Sequence, residues 1–340
     1  MTEIPVVGGG IAGMAAALFL KKQGLASVIH EAVAGPLDRV CGEGILPVGV
    51  SILDELGLKG KVIEAGRPFS GIRYLCGKYH AEGRFDFGQG IGISRHRLHH
   101  VLREACLLTG VEVIEGTPWR LDDSSAWIDA RGLRPRGGHD RSLRSSRVGI
   151  RMRVSGPIKD VVQVAFMSFG EIYVTPTGND TSSVAFLVNP SKMPAPTAWR
   201  SWLTDHFRQR FPGYRDAREY AVRAPIAGYG WPASTNAVGD ALCAFDPISG
   251  AGMSFALMSA KLVASKWGSY QKKQLTRAMS SFGSYTQTLL AFSGGGWRSK
   301  LLVRQLGKNP SMFDKMLSQY DGEHGLSDLG LMNWLKLALP

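Results

Sequence analysis

Gly8, Gly10 and Gly13 stand in the spacing G-x-G-x-x-G within VVGGGIAGMAAALFL, and a second glycine block, GDALCAFDPISGAGMSFAL, begins at Gly239. Glycine lacks the Cβ that keeps backbone amides away from an anion, so either block could cradle a phosphate or a comparable charge. In the first block Gly8 permits a tight turn, Gly10 lets the backbone approach a pyrophosphate, and Gly13 lets helix and strand pack closely. The helix N-terminus at Ile11 and Ala12 then faces the phosphates with its partial positive charge. Glu31 stands where a carboxylate accepts hydrogen bonds from a ribose diol. In the second block Asp240 can receive a hydrogen bond from a ribityl hydroxyl. A helix opening at Gly250, Ala251, Gly252 and Met253, just after Pro247, would stabilise negative charge on a reduced isoalloxazine ring. Two such turns fit one long ligand held at both ends, AMP at the first and flavin at the second, which is FAD.

These residues need elements to hold them. IPVV reads as a buried parallel strand, MAAALFLKKQG as a helix ending near Gly24, and LASVIHE as a second strand ending at Glu31. That is the βαβ context that a lone glycine motif lacks. TNAV reads as a short strand leading into Gly239. VVQVAFM, EIYVTP and SSVAFLV alternate apolar residues, which suits an antiparallel sheet with one buried face, and TAWRSWLTDHFRQRF reads as an amphipathic helix. The expected fold class is α/β: a Rossmann-like FAD-binding domain with an inserted antiparallel-sheet substrate domain and a C-terminal helical segment. The expected boundaries are 1–65, 92–150 and 234–285 for the discontinuous FAD-binding domain. Residues 66–91 and 151–233 form the substrate domain, and 286–340 the C-terminal helices, broken at Gly294, Gly295 and Gly296.

These blocks resemble the FAD-dependent oxidoreductases that include geranylgeranyl reductases and the p-hydroxybenzoate hydroxylase type (group A flavin monooxygenases). The likeness covers most of the chain. It rests on Gly8, Gly10 and Gly13 with Glu31, on CGEGILP from Cys41, on ISRHRLHHVLREACLLTGVEVIEG from Ile93, and on GDALCAFDPISGAG. In the third block the resemblance implies that Arg95 contacts the pyrophosphate side of FAD while Leu98 and Leu102 face the core. Cys41 and Gly42 match a Cys-Gly turn that sits beside the flavin in the geranylgeranyl reductase branch. EIYVTP resembles that branch's Y-x-W-x-F-P strand, with Glu171, Tyr173 and Thr175 in place of the three aromatics and Pro176 kept. The resemblance makes Tyr173 and Pro176 candidate pocket residues. Aromatic hydroxylases carry an Ala-Asp-Gly turn that helps bind FAD and NADPH; here Arg131 stands between Ala130 and Gly132, and Asp129 is two positions away. NADPH or NADH is the expected electron donor, with the choice open. The W-x-W-x-I-P run of flavin-dependent halogenases is absent.

Several side chains admit two readings. Cys41 is either a reactive or pocket-lining thiol, the catalytic candidate, or a small core residue. Glu43 is either a solvated loop carboxylate or a general acid raised by burial. His96 and His100 have an i, i+4 spacing, but flanking Arg95 and Arg97 make their helix cationic, so no metal site is expected and packing near the cofactor or at the surface is preferred for His96, His99 and His100. Asp246 forms an Asp-Pro turn that also positions backbone against the ring.

The 340 residues, 44% of them hydrophobic, allow two domains, and the net charge is +12. Much of that excess lies in Arg131, Arg134, Arg136, Arg141, Arg144, Arg147, Arg151 and Arg153. This run reads as a solvated loop inserted relative to the family, or as a docking patch for an acidic carrier protein, an anionic ligand or a membrane surface. No nucleic-acid module accompanies it. The four cysteines are scattered and no transmembrane segment is visible. With no secretory leader before the first strand, a cytoplasmic location is expected, with peripheral membrane contact left open. The apolar run LGLMNWLKLALP is expected to pack against the body of the protein. Function reads as FAD-dependent reduction of a C=C bond, or hydroxylation, of an apolar polyketide, quinone or isoprenoid-like metabolite. The alternative is a catalytically silent FAD-binding protein that docks a partner.

Overall fold

The computed structural model describes residues 3–35, 40–119, 126–132, 147–194, 198–223, 236–265, 267 and 272–318. The first apolar run forms β1 (Ile4–Val7), buried along its whole length. Gly8 follows in a conformation closed to other residues (φ +115°), and α1 (Ile11–Lys22) starts at once. Helix α1 buries every residue from Ile11 to Leu20, because it runs between the sheet and other helices. The chain returns through Gly24 (φ +75°) into β2 (Ser27–Glu31), parallel to β1. Later segments add β8 (Glu112–Glu115) and β9 (Ile128–Asp129), giving the parallel order β8-β2-β1-β9. The expected strand at TNAV is a single bridge, Ala237 to Asp129, that extends this sheet by one short crossing. The Val238 N–H donates to the Asp129 carbonyl at 2.8 Å.

Between these pieces come β3 (Gly44–Ile45), α2 (Pro47–Glu55), α3 (Lys59–Ala65), β4 (Arg67–Phe69), β5 (Gly71–Cys76), β6 (Tyr79–Arg84), β7 (Gly90–Gly92) and α4 (Arg95–Leu108). Strands β3, β7 and β4 make a small antiparallel sheet. Helix α4 is capped by Ser94, whose side chain accepts from the Arg97 N–H, and it buries Leu98 and Leu102 as its spacing requires. A large mixed sheet has the order β14-β10-β13-β12-β11-β5-β6, with β10 (Val148–Ser155), β11 (Val162–Met167), β12 (Gly170–Pro176), β13 (Thr181–Val188) and β14 (Arg215–Arg223). All its pairings are antiparallel except β11 with β5.

This sheet is not one-sided. Strand β12 is buried throughout and β13 from its second residue on. One face, carrying Ile150, Met152, Ile172, Val174, Val184 and Phe186, packs on Leu203 and Phe207 of α5 (Trp199–Arg210). The other face, with Val164, Phe166, Tyr173, Ala185 and Leu187, joins the core built around α1. The sheet is therefore a middle layer, and its polar residues on the second face must find partners inside the protein. The boundary expected at 150 falls inside β10.

The chain closes with α6 (Gly252–Ala264), α7 (Lys272–Ala291), α8 (Trp297–Lys308) and α9 (Pro310–Leu317). Gly294 and Gly295 have positive φ and break α7 from α8; α7 itself runs through the boundary expected at 285. The apolar run from Leu329 lies outside the described residues. Among the described residues no helix is long and apolar enough to cross a membrane.

Candidate functional site

The two glycine blocks meet in space. Helices α1 and α6 lie side by side, and Gly239 (φ +59°) sits so close to α1 that an added Cβ would come within 2.8 Å of the Ala12 Cβ. The glycines then divide by what surrounds them. At Gly8 a Cβ would lie 2.4 Å from the Ala130 carbonyl oxygen, and at Gly13 1.9 Å from that of Gly8, so both are required by packing of the protein on itself. At Gly10, Gly42, Gly250 and Gly252 a Cβ would meet no heavy atom within 4 Å. Gly10 is the N-cap of α1 and Ala251 that of α6, and neither end is capped by a side chain. Two sets of helix-terminal amides thus open onto space that glycines keep clear, which suits a pyrophosphate at one end and an electron-accepting ring at the other.

Glu31 is partly buried at the end of β2. Its carboxylate accepts from the Gly9 N–H at 2.7 Å and the Val33 N–H at 3.0 Å, which shapes the first glycine turn and leaves lone pairs for a diol. His99 on α4 is buried and its Nε2 lies 3.1 Å from the Gly9 carbonyl oxygen, so the same turn is held from behind. Burial lowers the His99 pKa. Asp240 is exposed beside Gly239, in a short 3-10 turn of residues Gly239–Ala241. A second 3-10 turn, Pro247–Ser249, precedes Gly250, which is left-handed (φ +66°), and Asp246 caps that turn by accepting from the Ile248 N–H at 2.9 Å. Met253 and Ala251 are buried behind the start of α6.

Cys41 and Gly42 precede β3, and the Leu46 N–H just beyond that strand donates to the Ser254 Oγ of α6 at 2.9 Å. The Cys41 Sγ accepts from the Glu43 N–H at 3.3 Å. Burial pushes the thiol pKa up, while the neighbouring Arg95 guanidinium opposes the rise less strongly, so at neutral pH the group is a thiol and a poor nucleophile. Glu43 corrects the expectation of a solvated loop. It is fully buried and takes a left-handed backbone (φ +59°) unusual for a side-chain-bearing residue. Its carboxylate accepts from the Arg95 N–H at 3.1 Å, Arg151 Nη1 at 3.0 Å, Arg153 Nη1 at 2.9 Å and Arg153 Nη2 at 3.0 Å. Three of these donors meet Oε1 and one meets Oε2, so both oxygens are engaged and the carboxylate anchors the start of α4 to β10.

The arginine run is likewise not one solvated segment. Arg151 and Arg153 lie on β10 and turn inward to Glu43. Arg147, just before β10, bridges Glu171 and Asp246. Arg131 folds back onto Asp129 through Nε at 3.0 Å and Nη2 at 2.8 Å, with its guanidinium over the Trp127 ring. Arg134, Arg136, Arg141 and Arg144 lie outside the described residues. Period-two spacing carried the signal. In RVGIRMRVS, Arg147, Arg151 and Arg153 share one face of the strand while Val148, Ile150, Met152 and Val154 share the other.

On β12, Glu171, Tyr173 and Thr175 share the face directed at the nucleotide half. The Tyr173 hydroxyl donates to the Ile248 carbonyl at 2.9 Å, tying the sheet to the turn before α6. Thr175 reaches Gly44, and the Pro176 carbonyl lies so close to Gly92 that no larger residue fits there. His96 and His100 share a helix with His99, and among the described residues no group of three metal-ligating side chains comes together.

The FAD binding domain family matches residues 1–146, the part that holds the first glycine turn, Glu31, Cys41 and α4. The chain as a whole has the fold of several solved flavoproteins. One is p-nitrophenol 4-monooxygenase PnpA from Pseudomonas putida DLL-E4 (17% identity over 96% of this chain and 99% of that one, TM-score 0.77). A second is a flavoprotein/dehydrogenase from Cytophaga hutchinsonii (18% identity, 94% and 93%, TM-score 0.73). A third is a geranylgeranyl bacteriochlorophyll reductase-like protein from Thermoplasma acidophilum (18% identity, 98% and 95%, TM-score 0.65). No functionally curated protein sequence matches the chain.

Proposed function

We propose that this flavoprotein reduces a C=C bond of, or hydroxylates, an apolar small molecule of polyketide, quinone or isoprenoid type. The observation that carries the reading is the pair of uncapped helix N-termini, at Gly10 and Ala251, opening onto space kept clear by Gly10, Gly42, Gly250 and Gly252. In this reading the amides of Ile11, Ala12 and Gly13 hold the pyrophosphate and Glu31 the adenosine ribose. Arg95 adds charge on the pyrophosphate side. Gly239 and Asp240 take the ribityl chain, and Pro247, Gly250, Ala251, Gly252 and Met253 flank the ring. Cys41 and Gly42 border the ring on the substrate side.

The bound flavin supplies hydride or oxygen chemistry, and the protein supplies orientation and a dry pocket. The sheet face packed on the nucleotide half is apolar at Val164, Phe166, Ala185 and Leu187, which keeps water from the region beside the turn and favours an apolar substrate there. Tyr173 and Pro176 border that pocket, Tyr173 as a spacer fixed by its bond to Ile248 and not as a free hydroxyl. Cys41 lines the pocket as a neutral thiol.

Anaerobic mixing of the FAD-loaded protein with NADPH and with NADH tests the activity, followed by an oxygen-consumption trace in the presence of quinone and isoprenoid test compounds. Reduction of the flavin with substrate-dependent reoxidation is expected. Flavin that neither donor reduces would favour a silent FAD-binding protein.

A further inference from the structure

Glu171 and Asp246 share a single arginine. Arg147 Nη1 donates to Glu171 Oε2 at 2.6 Å, and Arg147 Nη2 pairs with Asp246 Oδ1. With both acids ionised the buried trio carries one uncompensated negative charge, a costly arrangement away from water. The two acids are not equivalent. Asp246 also accepts from the Ile248 N–H, whereas Glu171 Oε1 is buried with no hydrogen-bond partner. Glu171 is 0% exposed, and its cross-strand neighbours, Phe166 and Leu187, are apolar. Of the two acids, Glu171 is therefore the one that takes up a proton more readily.

The charged and titratable groups facing it are Arg147 ahead of β10, Asp246 on the turn before α6, and Tyr173 on its own strand. The Gly294 backbone N–H approaches from the helical end. Burial pushes the Glu171 carboxyl up to about 7; Arg147 opposes this, Asp246 adds to it, and Gly294 opposes it less.

We propose that Glu171 is the proton-holding residue of the ring-side turn, taking a proton from solvent onto Oε1 when the cofactor held at Asp246–Gly252 gains negative charge. This rests on the FAD assignment above. The link is short and physical: Asp246 caps the turn through Ile248, Tyr173 holds the Ile248 carbonyl, and Arg147 joins Asp246 to Glu171. The balance is simple. Uptake of two electrons with one proton would leave one added negative charge at the turn. One more proton from water converts the Glu171 carboxylate to the acid, offsetting one added negative charge. Glu171 is thus a positioning residue for charge at the turn and needs no contact with substrate.

The test is the midpoint potential of the FAD-loaded protein against pH, for wild type, Glu171→Gln and Glu171→Asp. Wild type should take up one additional proton per two electrons over a window that opens near neutral pH, doubling the slope there if the cofactor itself takes one. Glu171→Gln should lose that window while retaining flavin, and Glu171→Asp should restore it at a shifted pH. A flavin-loaded wild type with no such window, or a Glu171→Gln variant that keeps it, would overturn the inference and leave the FAD assignment intact. If Glu171→Gln fails to load flavin, the wild-type profile and Glu171→Asp still decide the matter. A wild type that takes up no FAD contradicts the earlier reading and removes this one with it.

Discussion

Two buried glutamates, Glu43 before β3 and Glu171 on β12, have opposite surroundings. Glu43 draws in two arginines and accepts a backbone amide as well. Glu171 shares one arginine with Asp246 and has an oxygen with no partner. Two arginines converge on the first carboxylate, whereas two carboxylates converge on one arginine at the second, and that contrast is what makes the first an anchor and the second the proposed site of proton exchange. The same strand, β10, supplies Arg151 and Arg153 to the first cluster, and Arg147 just ahead of it serves the second. A segment that looks like one block of positive charge is thus divided between two jobs.

The sharpest way to break this comparison is to remove the anchor. Glu43→Gln removes the buried carboxylate on which Arg151 and Arg153 converge and should cost about 3–5 kcal/mol of stability in denaturant unfolding. A loss below about 1 kcal/mol would show that the arginines find water or other partners. Glu171 should reveal itself in the pH dependence of unfolding. Its value in the folded protein lies above that of the free side chain, so its favourable contribution is complete below about 4.5 and is lost as the pH rises to about 7. A shift of that size corresponds to a fall on the order of 3 kcal/mol across the window. Glu171→Gln should flatten that fall, and an unchanged slope would place the titration elsewhere. The smallest effect belongs to Cys41. Cys41→Ala should cost about 1 kcal/mol or less and leave flavin content unchanged. If the thiol lines the pocket, turnover or product distribution should shift; a lower melting temperature with wild-type kinetics would return it to core filling.

Local signals made much of the nucleotide half legible. The spacing of Gly8, Gly10 and Gly13, the flanking apolar runs and Glu31 define β1, α1 and β2, because each feature acts within a few residues of its neighbour. The same holds for α4, whose Leu98 and Leu102 are one turn apart, and for α6 opening at Gly252. Glu43 is illegible for the opposite reason. Its arginine side-chain partners lie on β10 at sequence separations of 108 and 110, and nothing near Glu43 marks it as buried. The arginine run was read by its charge and not by its alternation with Val148, Ile150, Met152 and Val154, which is the pattern of a strand with one polar face turned to a buried partner. The sheet was expected to have one wet face because its strands alternate. That face is instead covered by the nucleotide half, and Glu171, Tyr173 and Thr175 are its buried polar residues.

The most direct measurement of the central claim is FAD stoichiometry in parallel preparations of wild type, Gly10→Val and Gly296→Val. The two sites compare like with like: each is the N-cap of a helix in extended backbone, and a Cβ at either meets nothing of the protein within 4 Å, but only Gly10 faces the proposed pyrophosphate path. The account predicts one FAD per chain for wild type after incubation with excess cofactor, none for Gly10→Val with its fold retained, and near wild-type binding for Gly296→Val. A wild-type protein that stays colourless, or a Gly10→Val variant that binds FAD as well as wild type does, would contradict it.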